Sequence, residues 1–567
     1  MEDWSKLRFL VVEDSATMRV WLRNSIIGMG GKSVDQAISY SDALYRISNR
    51  EPFDVILCDY ILAEDAGRRA ARDGQHLLEE CRHRRLIPTS CVFIMVTAER
   101  SYEQIFAVAE LAPDDYLIKP LTPSILSERL LRAYEKKLVL KPLTDRFDDG
   151  DYEQCLMLTQ ACLDKGTSYR LDCLRLIGEC LLKLNRNEEA HRHYEEVLIA
   201  HPRLPWARMG VAKTYFALDR YDESRALLET LINDNTDFTQ AHDLLAQVHE
   251  VKGSPERARS LMKEVLARNP RAIHRHREVV RMALEVGDAE DAAAAYTSMF
   301  THGSGSVTLQ AGDFSGFSTL LMNAPGEQAA AQLTRLIGTL NDHYLRMDSE
   351  NEESRSYRLA ELVAQYARAR STGNKSEADN FYAQINTVMR ERPVSDNATL
   401  LAVMDVAIAA GDEARASEIA RGVLADYHGN DAMTARIVNA LDKGNMGATA
   451  RRLSSESVTA MQNLNRKAVT LAKQGNMREA MHEFIRLADE TRNLSVVFNA
   501  ALAIVRALEQ GEDDDQLRQK LAHYLEVMGN RDASNPRTQQ MQEMAAPYLR
   551  SASVSGVAAV SDSAAER

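Results

Sequence analysis

The chain has 567 residues, of which 45% are hydrophobic, and a formal net charge of −13. That length exceeds one small domain and predicts about four packing units or a long repeat array, while the acidic balance argues against non-specific nucleic-acid binding as the main activity. The sequence shows no basic leader running into an apolar stretch and no run of about 18 apolar residues, so a cytoplasmic protein with no membrane contact is expected.

The first 120 residues hold four short runs rich in β-branched and aromatic residues: Phe9-Leu10-Val11-Val12, Phe53-Asp54-Val55-Ile56-Leu57-Cys58, Val92-Phe93-Ile94-Met95-Val96 and Tyr116-Leu117-Ile118. Each ends on polar residues, in turn Glu13-Asp14, Asp59, Thr97 and Lys119. In a parallel sheet all four ends emerge at the carboxyl edge, where open α/β sheets place their sites. The residue types suit one chemistry. A phosphoryl group in transfer spreads negative charge over its oxygens, so a carboxylate nucleophile needs a divalent cation and a fixed positive side chain to approach it. Glu13, Asp14 and Asp59 offer carboxylates to Mg²⁺, which takes few protein oxygens and keeps the rest of its shell for water and phosphate. Lys119 supplies the second positive charge, the Thr97 hydroxyl can donate to a phosphoryl oxygen, and Asp59 is ionised at neutral pH without a neighbouring base.

Over roughly residues 6 to 137 this pattern resembles the receiver domain of two-component response regulators. The resemblance implies an α/β doubly wound parallel five-stranded sheet, flavodoxin-like, over residues 1–140. It implies Asp59 as phospho-acceptor, Glu13 and Asp14 as the acidic metal pair, Ile61 as a backbone-carbonyl ligand to Mg²⁺, Thr97 as switch hydroxyl, Tyr116 as switch aromatic, and Lys119, followed by Pro120, as the conserved lysine. Two departures stand out. Receivers usually follow the acceptor with a Met-Pro pair and soon reach an Asp-Gly; here Ile61 to Arg72 intervenes before Asp73-Gly74, with arginines at 68, 69 and 72. This loop reads either as a cap or donor-selecting element or as a plain insertion. The apolar Ile61 side chain cannot orient a hydrolytic water, which predicts slow self-dephosphorylation.

The seven cysteines fall in the first third of the chain, and the spacings Cys155 to Cys162 and Cys173 to Cys180 place each pair on one helix face. They read as reduced, buried thiols; zinc on Cys173, Cys180, His191 and His193 is the weaker alternative. From about residue 145 helical periodicity takes over with a period of 34: Gly178, Ala212 and Ala246; Ala190, Ser224, Ala258 and Ala292; Tyr194, Leu228, Met262 and Tyr296. Pro202, Thr236 and Pro270 close the units in the same step, and Asn185, Asp219, Gly253 and Gly287 occupy the turns. This framework resembles the tetratricopeptide repeat and implies an all-α helical solenoid over 145–300. A Gly/Ser-rich break is expected at 301–326 and a degenerate array of similar type at 327–548, with turns at Gly373, Gly411, Gly444 and Gly475. A disordered tail is expected at 549–567.

The solenoid implies a concave groove for an unknown protein or peptide, with Arg175, Lys213, Arg277 and Arg281 as its candidate cations. The carboxylate clamp of chaperone-binding members is not reproduced at Arg175 and Glu179. The function expected is that of a response regulator. Asp59 accepts a phosphoryl group from a histidine kinase or phosphotransfer protein, and the repeats carry a protein-binding output, with no direct DNA binding and no catalysis beyond self-phosphorylation and dephosphorylation. The last receiver helix, expected at Pro123 to Val139, the Tyr116 strand and the helix around Ser101 to Ala109 form the face expected to pass the change to the solenoid or to a second copy in a homodimer. The alternative is a scaffold whose pseudo-receiver is never phosphorylated. An aspartyl phosphatase is disfavoured because Ile61 cannot serve as a proton donor.

Overall fold

The computed structural model describes residues 4–62, 72–98, 113–324, 326–344, 352–391, 394, 396–426, 431–490, 494–510, 515–532 and 536–550. Arg68 and Arg69, the expected helix around Ser101 to Ala109 and residues 551–567 of the expected tail lie outside them. The chain divides into two compact units, Met1–Ala364 and Gln365–Arg567.

The first unit opens with five parallel strands, β1 (Arg8–Val12), β2 (Ser33–Ala37), β3 (Val55–Asp59), β4 (Val92–Thr97) and β5 (Asp115–Ile118), in the order β2-β1-β3-β4-β5. Every residue of β3 and β4 is buried, as central strands covered on both faces require. That accounts for their unbroken apolar runs. On one face Leu10, Ile56, Phe93 and Met95 pack with Tyr40, Leu77 and Cys81; on the other Phe9, Leu57, Ile94 and Val96 pack with Leu22, Ile26 and Leu126. Helices α1 (Ala16–Gly28), α2 (Tyr40–Asn49) and α3 (Gly74–His83) start at side-chain caps, Ser15, Ser39 and Asp73, each accepting from a backbone N–H three residues on. The expected α/β sheet followed by an all-helical region is the architecture observed.

The helix expected to end near Val139 instead runs unbroken from Pro123 to Asp148, with Pro142 inside it. Proline removes one intrahelical bond; here the helix continues because Leu126, Leu130 and Ala133 are buried against the sheet and Leu143 is buried beyond the proline. One continuous helical rod therefore joins the sheet to the repeats, crossing the boundary expected at residue 140.

The repeat helices keep the 34-residue step: Asn187–Ala200, Tyr221–Asp234, Pro255–Arg268 and Ala289–His302 form one set, and Pro205–Ala217, Thr239–Val251 and Ile273–Glu285 alternate with them. Their turns place Asn185, Asp219, Gly253 and Gly287 at positive φ. Tyr194 shows why the small positions matter. A Cβ at Gly178 would lie 2.3 Å from its Cζ, and one at Gly210 2.4 Å from its Cε1, so the ring fills the space two missing side chains leave.

The Gly/Ser-rich stretch 301–326 departs from expectation. It contains the helix Ala311–Met322, nearly all of it buried, with Gly316 so close to the Tyr296 hydroxyl that a Cβ would meet it at 2.4 Å. Small residues here serve close packing rather than a hinge: the Ser315 and Ser318 hydroxyls donate to the carbonyls of Ala311 and Phe314 and are satisfied when buried. The helices Glu327–Tyr344 and Glu352–Ser371 follow.

The second unit is helical throughout its described residues, from Lys375–Glu391 to Pro536–Arg550. Ala378, Ala416 and Ala480 are buried at the small positions, and so is Phe484. At the third turn the positive φ falls on Asn445 rather than Gly444; Gly444 is small because a Cβ would lie 2.1 Å from Ile408 Cγ2. The 27-residue helix Gly447–Lys473 is about twice the usual repeat helix, which is why the period drifts there. Among the described residues no helix is long and apolar enough to cross a membrane.

Candidate functional site

The sheet brings the four strand ends together. Asp59 closes β3, opposite Val96, so Thr97 at the end of β4 stands one residue beyond it and pairs with Ile118 on β5. The ladder continues into the site itself: Glu13 N–H donates to the Ala37 carbonyl at 3.1 Å, Tyr60 N–H to Val96 at 3.0 Å and Lys119 N–H to Thr97 at 2.6 Å. Lys119 precedes a cis proline, Pro120. Its ammonium donates to Glu13 Oε2 and Asp59 Oδ2, each at 2.8 Å. Glu13, Asp59 and Thr97 are buried while Asp14 is exposed.

Carboxylate oxygens of Glu13, Asp14 and Asp59 lie within 4.8 Å of one another. Three hard oxygen donors, one of them open to water, fit a Mg²⁺ ion that retains part of its hydration shell. Burial raises the carboxyl pKa of Asp59 and of Glu13 above the ordinary range, and the bond from Lys119 works against it in both. Lys119 loses ground to burial but gains more from Asp59 and Glu13, so its ammonium is held above its usual value. Two buried anions thus share one cation, leaving local negative charge that a divalent ion would complete. Ile61, two residues beyond Asp59, is 54% exposed. Tyr116 is half-buried against the cluster containing Cys58, Leu77 and Met95.

The residues after the insertion loop carry contacts that sequence patterns did not flag. A Cβ at Gly74 would sit 2.1 Å from the Asp59 carbonyl oxygen, and Gly74 N–H donates to Tyr60 O at 2.8 Å. Next to it, Asp73 caps α3 through His76 N–H at 3.1 Å and lies 2.7 Å from His76 Nδ1, while its other oxygen accepts from Arg271 Nη1 of the repeat array at 2.6 Å. Burial opposes this charge, but His76 and Arg271 outweigh it and hold the Asp73 carboxyl well below the usual range. Arg72, the last arginine of the insertion, is buried over the Tyr40 ring at 4.6 Å and pairs with Glu80 at 3.4 Å. An aspartate three residues before His76 is a readable cap; Arg271, 198 residues away, has no local signature.

Three of the four candidate groove cations, Arg175, Arg277 and Arg281, are engaged in ion pairs. Arg277 grips Asp313 through both carboxylate oxygens, at 2.8 and 2.7 Å, and also donates to the Thr308 carbonyl. Arg281 pairs with Glu250, Glu278 and Glu285 at 2.7 to 2.9 Å. Arg277 thereby ties Ile273–Glu285 to Ala311–Met322, and Arg281 ties it to Thr239–Val251 while also pairing with two acids of its own helix. Arg175 pairs with Glu179 at 2.8 Å, and Lys213 forms no ion pair with a described residue. The candidate zinc set does not assemble among the described residues: His191 hydrogen-bonds Thr214 and His193 the Leu174 carbonyl.

Comparison with known proteins matches residues 9–131 to the response regulator receiver domain and residues 181–248 to the tetratricopeptide repeat. A chemotaxis protein CheY homolog of Campylobacter jejuni is 27% identical over 124 residues, 22% of this chain and 89% of that protein. Among solved structures, a CheY-like receiver domain protein from Methanospirillum hungatei covers 23% of this chain and 95% of its own at 25% identity and a TM-score of 0.20. The chemotaxis response regulator CheY4 of Vibrio cholerae covers 22% and 98%, at 23% identity and a TM-score of 0.20. Residues 9–131 of this chain are a CheY-like response regulator receiver domain, and tetratricopeptide repeats follow it.

Proposed function

We propose that this chain is a two-component response regulator whose Asp59 accepts a phosphoryl group and whose helical array is a protein-binding output. The observation that carries the reading is the convergence of Lys119 with two buried carboxylates at 2.8 Å each, beside the exposed Asp14. In the reaction an Asp59 carboxylate oxygen attacks the phosphorus of a phosphohistidine on a histidine kinase or phosphotransfer protein. The new P–O bond forms as the P–N bond breaks, and the imidazole leaves with the bonding pair and takes up a proton. Glu13, Asp14, Asp59 and the Ile61 carbonyl would hold a Mg²⁺ ion, which when bound would neutralise charge on the phosphoryl oxygens. Lys119 exchanges a carboxylate partner for a phosphoryl oxygen, and the Thr97 hydroxyl donates to another. No other catalysis is assigned, and because the apolar Ile61 side chain cannot orient a hydrolytic water the aspartyl phosphate is long-lived.

The test is incubation of the full chain with acetyl phosphate and Mg²⁺, followed by intact mass and peptide mapping. One phosphoryl group on the peptide holding Asp59, absent in Asp59→Asn and without Mg²⁺, is the expected result. An unchanged mass under conditions that phosphorylate a control receiver would end this reading.

A further inference from the structure

The first turn of α3 touches both the acceptor and the repeat array. Gly74 is wedged against the Asp59 carbonyl with no room even for a methyl group, so any movement of the acceptor backbone is passed to α3 without slack. The neighbouring Asp73 divides its carboxylate between the α3 cap and Arg271, and the 2.6 Å Arg271 bond is already as short as a strong charge-assisted bond becomes. Around it lie weaker contacts: Arg271 Nη1 donates to Gln75 Oε1 at 3.1 Å, the Thr308 hydroxyl to Glu79 Oε1 at 3.4 Å, and the Gly305 backbone packs near His76 and the Arg72 stem.

On the array side, Arg271 stands two residues before the helix Ile273–Glu285, and Thr308 gives its carbonyl to Arg277 of that helix. Arg277 in turn holds Asp313 at the start of the helix Ala311–Met322. The contact with α3 is therefore anchored in the helices Ile273–Glu285 and Ala311–Met322. It is made by α3 rather than by β5 and the last receiver helix, through which communication was expected.

We infer that the α3 N-terminus is the surface through which the state of Asp59 is passed to the repeat array: the Asp73–Arg271 latch holds in the unphosphorylated chain and yields when Asp59 carries a phosphoryl group. The inference rests on the acceptor reading above. Its direction follows from geometry. The bond is at its optimum with Asp59 free, so a displacement of Gly74 either way lengthens or tilts it. By linkage, whatever phosphorylation does to the latch, loss of the latch does to the stability of the phosphorylated form.

Hydrogen exchange on the full chain, with and without Mg²⁺ and beryllofluoride as the phosphoryl stand-in, tests this. In wild type the amides of residues 303–308 should exchange several-fold faster with beryllofluoride bound. In Arg271→Gln, and independently in Glu79→Ala, they should exchange fast already and respond little. Beryllofluoride affinity should rise roughly tenfold in Arg271→Gln, as expected for losing one charge-assisted bond that opposed the bound state. If the β1 and β3 amides respond while residues 303–308 do not, or if both variants bind beryllofluoride within twofold of wild type, the latch is refuted and the acceptor reading survives. If nothing in the receiver responds, the acceptor reading falls and the latch with it.

Discussion

Lys119→Met isolates the electrostatics of the site. The substitution keeps an unbranched side chain of similar length but removes the ammonium that Glu13 and Asp59 share. Their oxygens and those of Asp14 lie within 4.8 Å, and two anions at that separation repel by about 3.5 kcal/mol at an effective dielectric constant of about 20. Part of this is relieved by proton uptake, since burial already raises both carboxyl pKa values and the variant raises them further. The sign follows from linkage. A carboxyl whose folded pKa exceeds its unfolded value binds more protons when folded, so its contribution to stability falls as pH rises from the unfolded value through the folded one. Without divalent ions, Lys119→Met should match wild type near pH 4 and lose about 1 to 3 kcal/mol by pH 8. Hydrogen exchange of the β1 and β3 amides at a series of pH values measures it. Millimolar Mg²⁺, or the added change Glu13→Gln, should restore most of the loss. A variant equally protected at pH 5 and pH 8, with no response to Mg²⁺, would refute this account of the site.

Three further outcomes are expected. Gly74→Ala drives a Cβ into the Asp59 carbonyl and should cost at least about 2 kcal/mol, visible as lost protection in β3 and lost phosphorylation by acetyl phosphate; wild-type behaviour would mean α3 is freer than its packing indicates. Tyr194→Ala empties the space between Gly178 and Gly210 and should destabilise the array by about 3 to 5 kcal/mol in thermal denaturation, without changing Mg²⁺ affinity at Asp59. His343, buried among Phe314 and Tyr357, is pushed down to about 4 by burial and by the charge of Arg72. Its neutral form is the one that fits, so stability should be complete above pH 6.5 and fall by up to about 3 kcal/mol as pH drops towards 4. In His343→Leu that acid limb should flatten.

How far the sequence could be read depended on whether a feature was local. Asp59, Thr97 and Lys119 each end a strand whose apolar run announces it, and parallel pairing does the rest, so the chemistry at the sheet edge could be placed without coordinates. Tyr194 and its register mates repeat every 34 residues and give the array in the same way. Ser315 and Gly316 misled for a physical reason: composition marks small polar residues as loop-forming, whereas here they form a buried helix because Tyr296 needs the missing side chain and the hydroxyls bond their own backbone. Pro142 misled too, since burial on both sides of it outweighs one lost hydrogen bond. The groove arginines were on the right helices, but which acids face Arg277 and Arg281 depends on the superhelix. Arg271 was invisible because the partner that gives it meaning stands 198 residues earlier.

Among the described residues, two attachments join the receiver to one stretch of array. The rod Pro123–Asp148 leaves the sheet on one side, and the contacts at Arg271 and Thr308 return to α3 on the other, closing the intervening repeats into a loop. An array held at a single point could swing freely and report nothing about its own curvature. Held at two, it cannot change the angle between successive repeats without straining either the rod or the latch. The rod has a buried apolar stripe along the sheet, whereas the latch is one short ionic bond with a few weaker ones around it, so strain collects at the latch. A peptide that reshapes the concave side would then pull on Asp73, and through Gly74 on the Asp59 carbonyl. Reciprocity requires such a partner to shift the stability of the phosphorylated receiver by the same factor as phosphorylation shifts the partner's affinity. With a single charge-assisted bond as the coupling element that factor is about ten to a hundred, far short of the roughly 10⁴ needed to move a population from 1:99 to 99:1. Output from this chain should therefore be graded rather than all-or-none, and a partner whose affinity changed by several thousandfold on phosphorylation would require a second contact beyond the latch.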